Sequence, residues 1–112
     1  MGVVTAAPVR GEVWICDLEP VVGHEIRKSR PCLVVSPDQM NLKLGTICVM
    51  PLTSGAWPAP FRVTTNFRRR RGLLLADQLR TLDRSRFETC LGRLDASTLA
   101  KALKTLRVMF EE

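Results

Sequence analysis

Only one stretch of this chain repeats with the period of a helix. Leu99, Leu103, Leu106 and Phe110 recur at spacings of four, three and four, with Ala102 and Met109 beside them, so one amphipathic helix lies at the C-terminal end. Asp95 or Ser97 stands where a cap would accept the first free amides of that helix. Everything upstream is written in short apolar or alternating segments broken by proline, glycine and clustered polar residues. Such a chain cannot build a helical bundle. Five or six short strands with irregular loops and a single helix predict a mostly β fold, a small, strongly bent antiparallel sheet or barrel with the helix packed on it.

The segments can be placed. Glu12 to Leu18, EVWICDL, alternates two faces and is rich in strand-forming residues. Glu19 to Pro31 holds no period and reads as a long basic loop, a kind that in small domains is often functional. Cys32 to Val35 is a second strand, and DQMN after Ser36-Pro37 a single helical turn capped around Ser36. Thr46 to Leu52 is a third strand, whose Pro51 implies that the ladder stops or lies on an edge there. Phe61 to Thr65, Leu73 to Leu82 and Phe87 to Leu91 supply the rest, the second of these reading as one strand that emerges into solvent after Asp77.

A chain of 112 residues with 46% hydrophobic and 25% charged residues is ordinary globular material and suggests one domain. Residues 1–9 read as a loose arm and residues 10–112 as the domain. The longest apolar runs, such as Leu73 to Ala76, are far short of the ~20 residues that cross a bilayer. With no basic, apolar leader at the start, the expected compartment is the cytoplasm. Seventeen Lys and Arg against eleven Asp and Glu leave a charge of +6, which favours a polyanionic partner. The four cysteines (Cys16, Cys32, Cys48, Cys90) have no C-x-x-C spacing and are expected as buried thiols, and the single histidine, His24, is remote from any cysteine pair. No metal and no cofactor is expected.

Three polar places interrupt the apolar pattern. Glu25 to Arg30 is a basic loop ending directly at a buried strand, and composition alone allows it to be only a solvated surface. Thr53-Ser54 puts two hydroxyls where the third strand ends, a position where such groups also serve local backbone bonds. Asp77-Gln78 follows four apolar residues and could equally satisfy nearby loop amides.

At these places the sequence resembles a family. Gly11-Glu12-Val13-Trp14, then Arg30-Pro31-Cys32-Leu33-Val34-Val35-Ser36-Pro37, then Met50-Pro51-Leu52-Thr53-Ser54, then Leu75-Ala76-Asp77-Gln78 are similar to successive blocks of the MazF/PemK toxins. The resemblance runs from about Arg10 to the C-terminal helix. It implies an SH3-like barrel with a C-terminal helix, a homodimer, sequence-selective cleavage of single-stranded RNA, and inhibition by a cognate antitoxin. It also implies catalytic roles for Arg30 and Thr53, and matches Glu25 to an acidic position found in some members. The Arg68 to Arg71 run and the loop Gly55 to Pro60 depart from the commonest members, so a cleavage sequence does not carry over.

The residue types suit that chemistry independently. An RNA phosphodiester carries its own nucleophile, the 2′-hydroxyl, so the protein needs charge stabilisation and orientation rather than a nucleophilic side chain or a metal. A guanidinium such as Arg30 presents a planar fork of donors to phosphate oxygens, and Thr53 adds a neutral hydroxyl. An arginine is a poor general base, which leaves Glu25 as the expected one. RNA contacts are expected from Trp14, Arg27, Lys28, Ser54, Trp57, Arg69, Arg70, Asp77 and Gln78, a mix of cations, polar groups and rings fitted to single strands. Their positive field would draw in an acidic antitoxin segment. Two other classes of function remain open at this stage: a CcdB-like gyrase poison of similar fold, and a catalytically silent RNA-binding barrel.

Overall fold

The computed structural model describes residues 6–112. Seven strands, β1 (Glu12–Asp17), β2 (Ser29–Val34), β3 (Thr46–Thr53), β4 (Arg62–Phe67), β5 (Arg70–Leu75), β6 (Arg80–Asp83) and β7 (Phe87–Arg93), form one antiparallel sheet. A short helix, α1 (Asp38–Lys43), follows β2, and the long helix α2 (Ala96–Met109) follows β7. The order is β4-β5-β3-β2-β1-β7, with β6 on β3. The class agrees with the sequence, but the sheet is not closed into a barrel: among the described residues β4 and β7 end it on either side.

β3 is the hub. Val49 to Pro51 pair with β2 along one side, while on the other side Thr46 to Val49 pair with β6 and Leu52 and Thr53 pair with β5. Proline cannot donate to a ladder. Pro51 sits between those last two ladders, so the expected interruption is real, although it falls inside a central strand rather than at an edge. Register shifts between Val13 and Trp14 and between Ile15 and Cys16, where β1 meets β7, are bulges that add to the bend.

Strand alternation makes both faces of this sheet apolar. On one face Val13, Leu33, Met50, Leu52 and Leu74 meet Leu99, Leu103, Leu106 and Met109 of α2. On the other, Cys16, Cys32, Val34, Val49 and Leu82 are closed over by Val21 and Ile26 of the long loop. Part of that loop therefore serves as a core lid. Helix α2 begins where the sequence places it, Asp95 accepting from the Thr98 amide at 3.0 Å. It rests on Gly11, whose φ of 94° favours glycine and where a side chain would meet Leu99 Cδ2 at 3.1 Å.

Four expectations change. Leu73 to Leu82 is two strands, because a 3-10 turn at Ala76–Gln78 redirects the chain from β5 to β6, which pair with different parts of β3. Ser36 does not cap α1; its hydroxyl donates to Asn41 Oδ1 at 2.5 Å and accepts from the Cys48 amide at 3.0 Å. Of the thiols, Cys16 and Cys32 are buried, but Cys48 is half-buried and Cys90 exposed, all four free. Of the loose arm expected over residues 1–9, residues 1–5 lie outside the described residues, while Pro8 is buried and its carbonyl accepts from Asn41 Nδ2 at 2.9 Å.

Candidate active site

Arg30 and Thr53 come from different strands and meet at one place. Arg30 lies at the start of β2, and its Nε donates to the Arg27 carbonyl at 3.0 Å, which anchors the guanidinium at that nitrogen. Thr53 is the last residue of β3; its Oγ1 accepts from the Gly55 amide at 3.2 Å, leaving the hydroxyl hydrogen free to donate. Close packing fixes this end of β3. Gly72 of β5 lies so near that an added Cβ would stand 3.1 Å from both Leu52 Cδ1 and the Thr53 carbonyl oxygen.

Two grooves meet here. The first, of about 520 Å³, runs from Arg30, Thr53 and Ser54 past Ile15, Phe67 and Leu91 to Arg68, Arg70 and Arg71. The second, of about 370 Å³, runs from the same Arg30, Thr53 and Ser54 to His24, Trp57, Arg62 and Gln78. Those three polar residues form the saddle between the grooves. Neither lining contains a carboxylate. The charged groups lining the saddle and its grooves are therefore all cations, and the hydroxyls beside them are neutral donors.

The rest of the second groove is held by Asp77 and Gln78. Asp77 binds Arg62 in a bidentate pair, Nε to Oδ1 and Nη2 to Oδ2, each at 3.1 Å. Hydrogen bonding to that carboxylate raises the affinity of Arg62 for its proton above that of a free guanidinium. Arg62 Nη1 also donates to the Trp57 carbonyl at 2.8 Å, tying down the loop whose indole is 84% exposed. Gln78 Oε1 accepts from the Ile26 amide at 2.6 Å, and its Nε2 reaches the His24 carbonyl at 3.5 Å. Thus Asp77 works behind the wall, and Gln78 both lines the groove and ties down the basic loop through the Ile26 amide and the His24 carbonyl.

Several expected residues lie elsewhere. Glu25 lines neither groove; its Oε1 accepts from the Val22 amide at 2.9 Å and closes a turn of its own loop. Arg27 and Lys28 are exposed but line neither groove. Trp14 is displaced by strand alternation, since its neighbour Ile15 lines the first groove and Trp14 faces the other way. There its indole packs edge-on against Phe87 at 5.9 Å and 79°, under the guanidinium of Arg84 at 5.2 Å. Arg69 occupies the tip of the β4–β5 turn outside the lining, whereas its neighbours Arg68, Arg70 and Arg71 are in it. Sequence reasoning set His24 aside, although its place in the G-H-E turn of the basic loop, just before the arginine-bearing strand, was the available signal.

A bent antiparallel sheet with one packed helix, and an arginine and a threonine at the junction of two cationic grooves, defines a small β protein with a cleft fitted to phosphate-bearing chains. The chain belongs to the PemK-like, MazF-like toxins of type II toxin-antitoxin systems, whose family model matches residues 9–110. It is 36% identical over 109 residues to endoribonuclease MazF9 of Mycobacterium tuberculosis, covering 88% of this chain and 92% of that protein. It is 32% identical over 105 residues to endoribonuclease EndoA of Bacillus subtilis, covering 88% and 90%. The crystal structure of MazF from Deinococcus radiodurans superimposes with a TM-score of 0.82 at 35% identity, over 92% of this chain and 96% of that one. An endoribonuclease from a mycobacterial species, in complex with its cognate antitoxin, follows at 0.76 and 26%, over 91% and 93%.

Proposed function

We propose that this protein is the endoribonuclease toxin of a type II toxin-antitoxin system, cutting single-stranded RNA by attack of the 2′-hydroxyl without a metal. The observation that carries this reading is the saddle: Arg30 and Thr53, from two strands, side by side where two carboxylate-free grooves join. Membership of a family whose relatives are named endoribonucleases supports it.

The RNA lies across the saddle with its scissile phosphate against Arg30. The 2′-oxygen forms a bond to phosphorus as the bond to the 5′-oxygen breaks, giving a 2′,3′-cyclic phosphate and a 5′-hydroxyl. Negative charge gathers on the non-bridging oxygens, where the Arg30 fork and the Thr53 hydroxyl donate. The 2′-hydroxyl proton must go to a base, and the leaving 5′-oxygen must gain a proton. Of the side chains lining either groove, the imidazole of His24 is the one whose two ring nitrogens suit it to both accepting and donating a proton. Glu25, engaged with Val22, is the less favoured acceptor.

Trp57 and Ser54 flank the phosphate, the indole offering a face on which a base stacks. The working unit is a homodimer in the cytoplasm, held in check by an acidic antitoxin; no helix among the described residues is long and apolar enough to cross a membrane. Exposed Phe110, at the end of α2, is surface that pairing would cover. The test is incubation of the pure protein with mixed-sequence RNA in excess EDTA. Cleavage to cyclic-phosphate ends, abolished by a 2′-deoxy substitution at the cut site, is the expected result. Equal cutting of the deoxy substrate, or dependence on added metal, removes the mechanism.

A further inference from the structure

The β4–β5 hairpin closes on two residues, Arg68 with φ 52° and Arg69 with φ 64°. Two-residue turns with both residues left-handed match the twist of their strands and are relaxed with Asn-Gly; a long side chain with a Cβ is strained there. Two successive arginines are thus the opposite of what folding alone would select. They continue into Arg70 and Arg71, and Arg68, Arg70 and Arg71 all line the first groove on the way to Arg30. None of the four has a carboxylate to balance it: the ion pair found among the described residues is Arg62 with Asp77. The groove between them is floored by Ile15, Phe67 and Leu91.

We propose that this arginine hairpin is a second, extended binding site for the RNA strand, a track for phosphates of nucleotides several positions away from the cut. Resting on the reading of the protein as an RNA-cutting enzyme, it adds that substrate length and affinity are set here, away from the reacting atoms. Phosphates follow the guanidiniums while bases lie on the apolar floor, the arrangement by which single strands are held without regard to sequence. Backbone strain at Arg68 persists because the charge there is used.

The test separates charge from strain. Binding is measured by fluorescence anisotropy with a random-sequence, fully 2′-O-methylated RNA of about twelve nucleotides, over a range of salt. Arg68→Asn keeps a residue that tolerates the left-handed region, so melting temperature holds or rises, while affinity falls and the salt slope flattens by about 0.7, one phosphate contact on a single strand. Arg71→Gln, outside the turn, gives the same flattening. Arg69→Gly, which removes a charge outside the groove and relaxes the turn, raises the melting temperature and leaves the slope as it was. Unchanged slopes for Arg68→Asn and Arg71→Gln overturn the track. So does equal flattening by Arg69→Gly, which would mean bulk charge. Cleavage of unmodified RNA by the same wild-type preparation is scored separately, so failure of the enzymatic reading leaves the binding slopes interpretable.

Discussion

Asp77 holds Arg62 through two hydrogen bonds of 3.1 Å, and Arg62 in turn holds the carbonyl of Trp57 at 2.8 Å. The carboxylate thereby reaches a loop it does not touch. The pair is partly exposed, so its direct contribution to stability is small, about 1 kcal/mol or less. Its value lies in where it leaves the indole.

Asp77→Asn should accordingly cost little stability yet raise KM more than it lowers kcat. In a Trp14→Phe background, the anisotropy of the remaining Trp57 emission should drop as the loop loosens. A variant with normal anisotropy and a loss confined to kcat would place Asp77 in the chemistry instead.

Arg30→Ala and Thr53→Ala should each lower turnover by at least about 100-fold, the scale of a lost transition-state donor, with circular dichroism and melting nearly unchanged. Near-normal rates in both would refute the saddle as the reaction centre.

His24→Ala should lower kcat by about 100-fold or more, the range of a lost proton-transfer group, while Glu25→Gln stays within a few-fold of wild type. Steady-state kinetics on one RNA decides between them, and the reverse order would restore the carboxylate as base.

Gly72→Ala adds a methyl group 3.1 Å from the Thr53 carbonyl oxygen, which is backbone and cannot swing aside. Overpacking of this kind costs about 1–3 kcal/mol, and here it also shifts the Thr53 hydroxyl. Denaturant melts and turnover should therefore fall together.

Asp95 caps α2 by accepting from Ser97 Oγ, the Thr98 amide and Thr98 Oγ1, and these bonds hold its carboxyl below the usual carboxylate range. A pKa depressed on folding stabilises the native state at pH values above the unfolded one, near 3.9, and that contribution disappears as pH falls through the lower, folded value. Helicity should weaken below about pH 4. Asp95→Asn, which caps without titrating, should flatten that part of the acid profile followed by circular dichroism.

What the sequence discloses follows from how local each signal is. Helix α2 is legible because its period and its cap lie within one stretch. β1 and β3 are legible because alternation needs few residues. Leu73 to Leu82 misleads because the 3-10 turn at Ala76–Gln78 carries no glycine or proline; the chain bends there because β5 and β6 serve different parts of β3. Arg30, Thr53 and Ser54 stand out as polar groups at strand ends. The orientation of Glu25 away from the grooves, and the bond from Arg62 to Trp57, depend on partners that only tertiary structure supplies. Trp14 belongs to the same class: a one-residue step along β1 decides its face, and no residue nearby announces which.

The change of partners along β3 has a consequence for how such a toxin fails. Thr53 is held on a strand whose other end is shared between β2 and β6, and Pro51 marks the handover to β5. Peeling away any one neighbour frees part of the strand that carries the hydroxyl. The position of Thr53 thus depends on three neighbouring strands at once, β2, β6 and β5, rather than on any one of them.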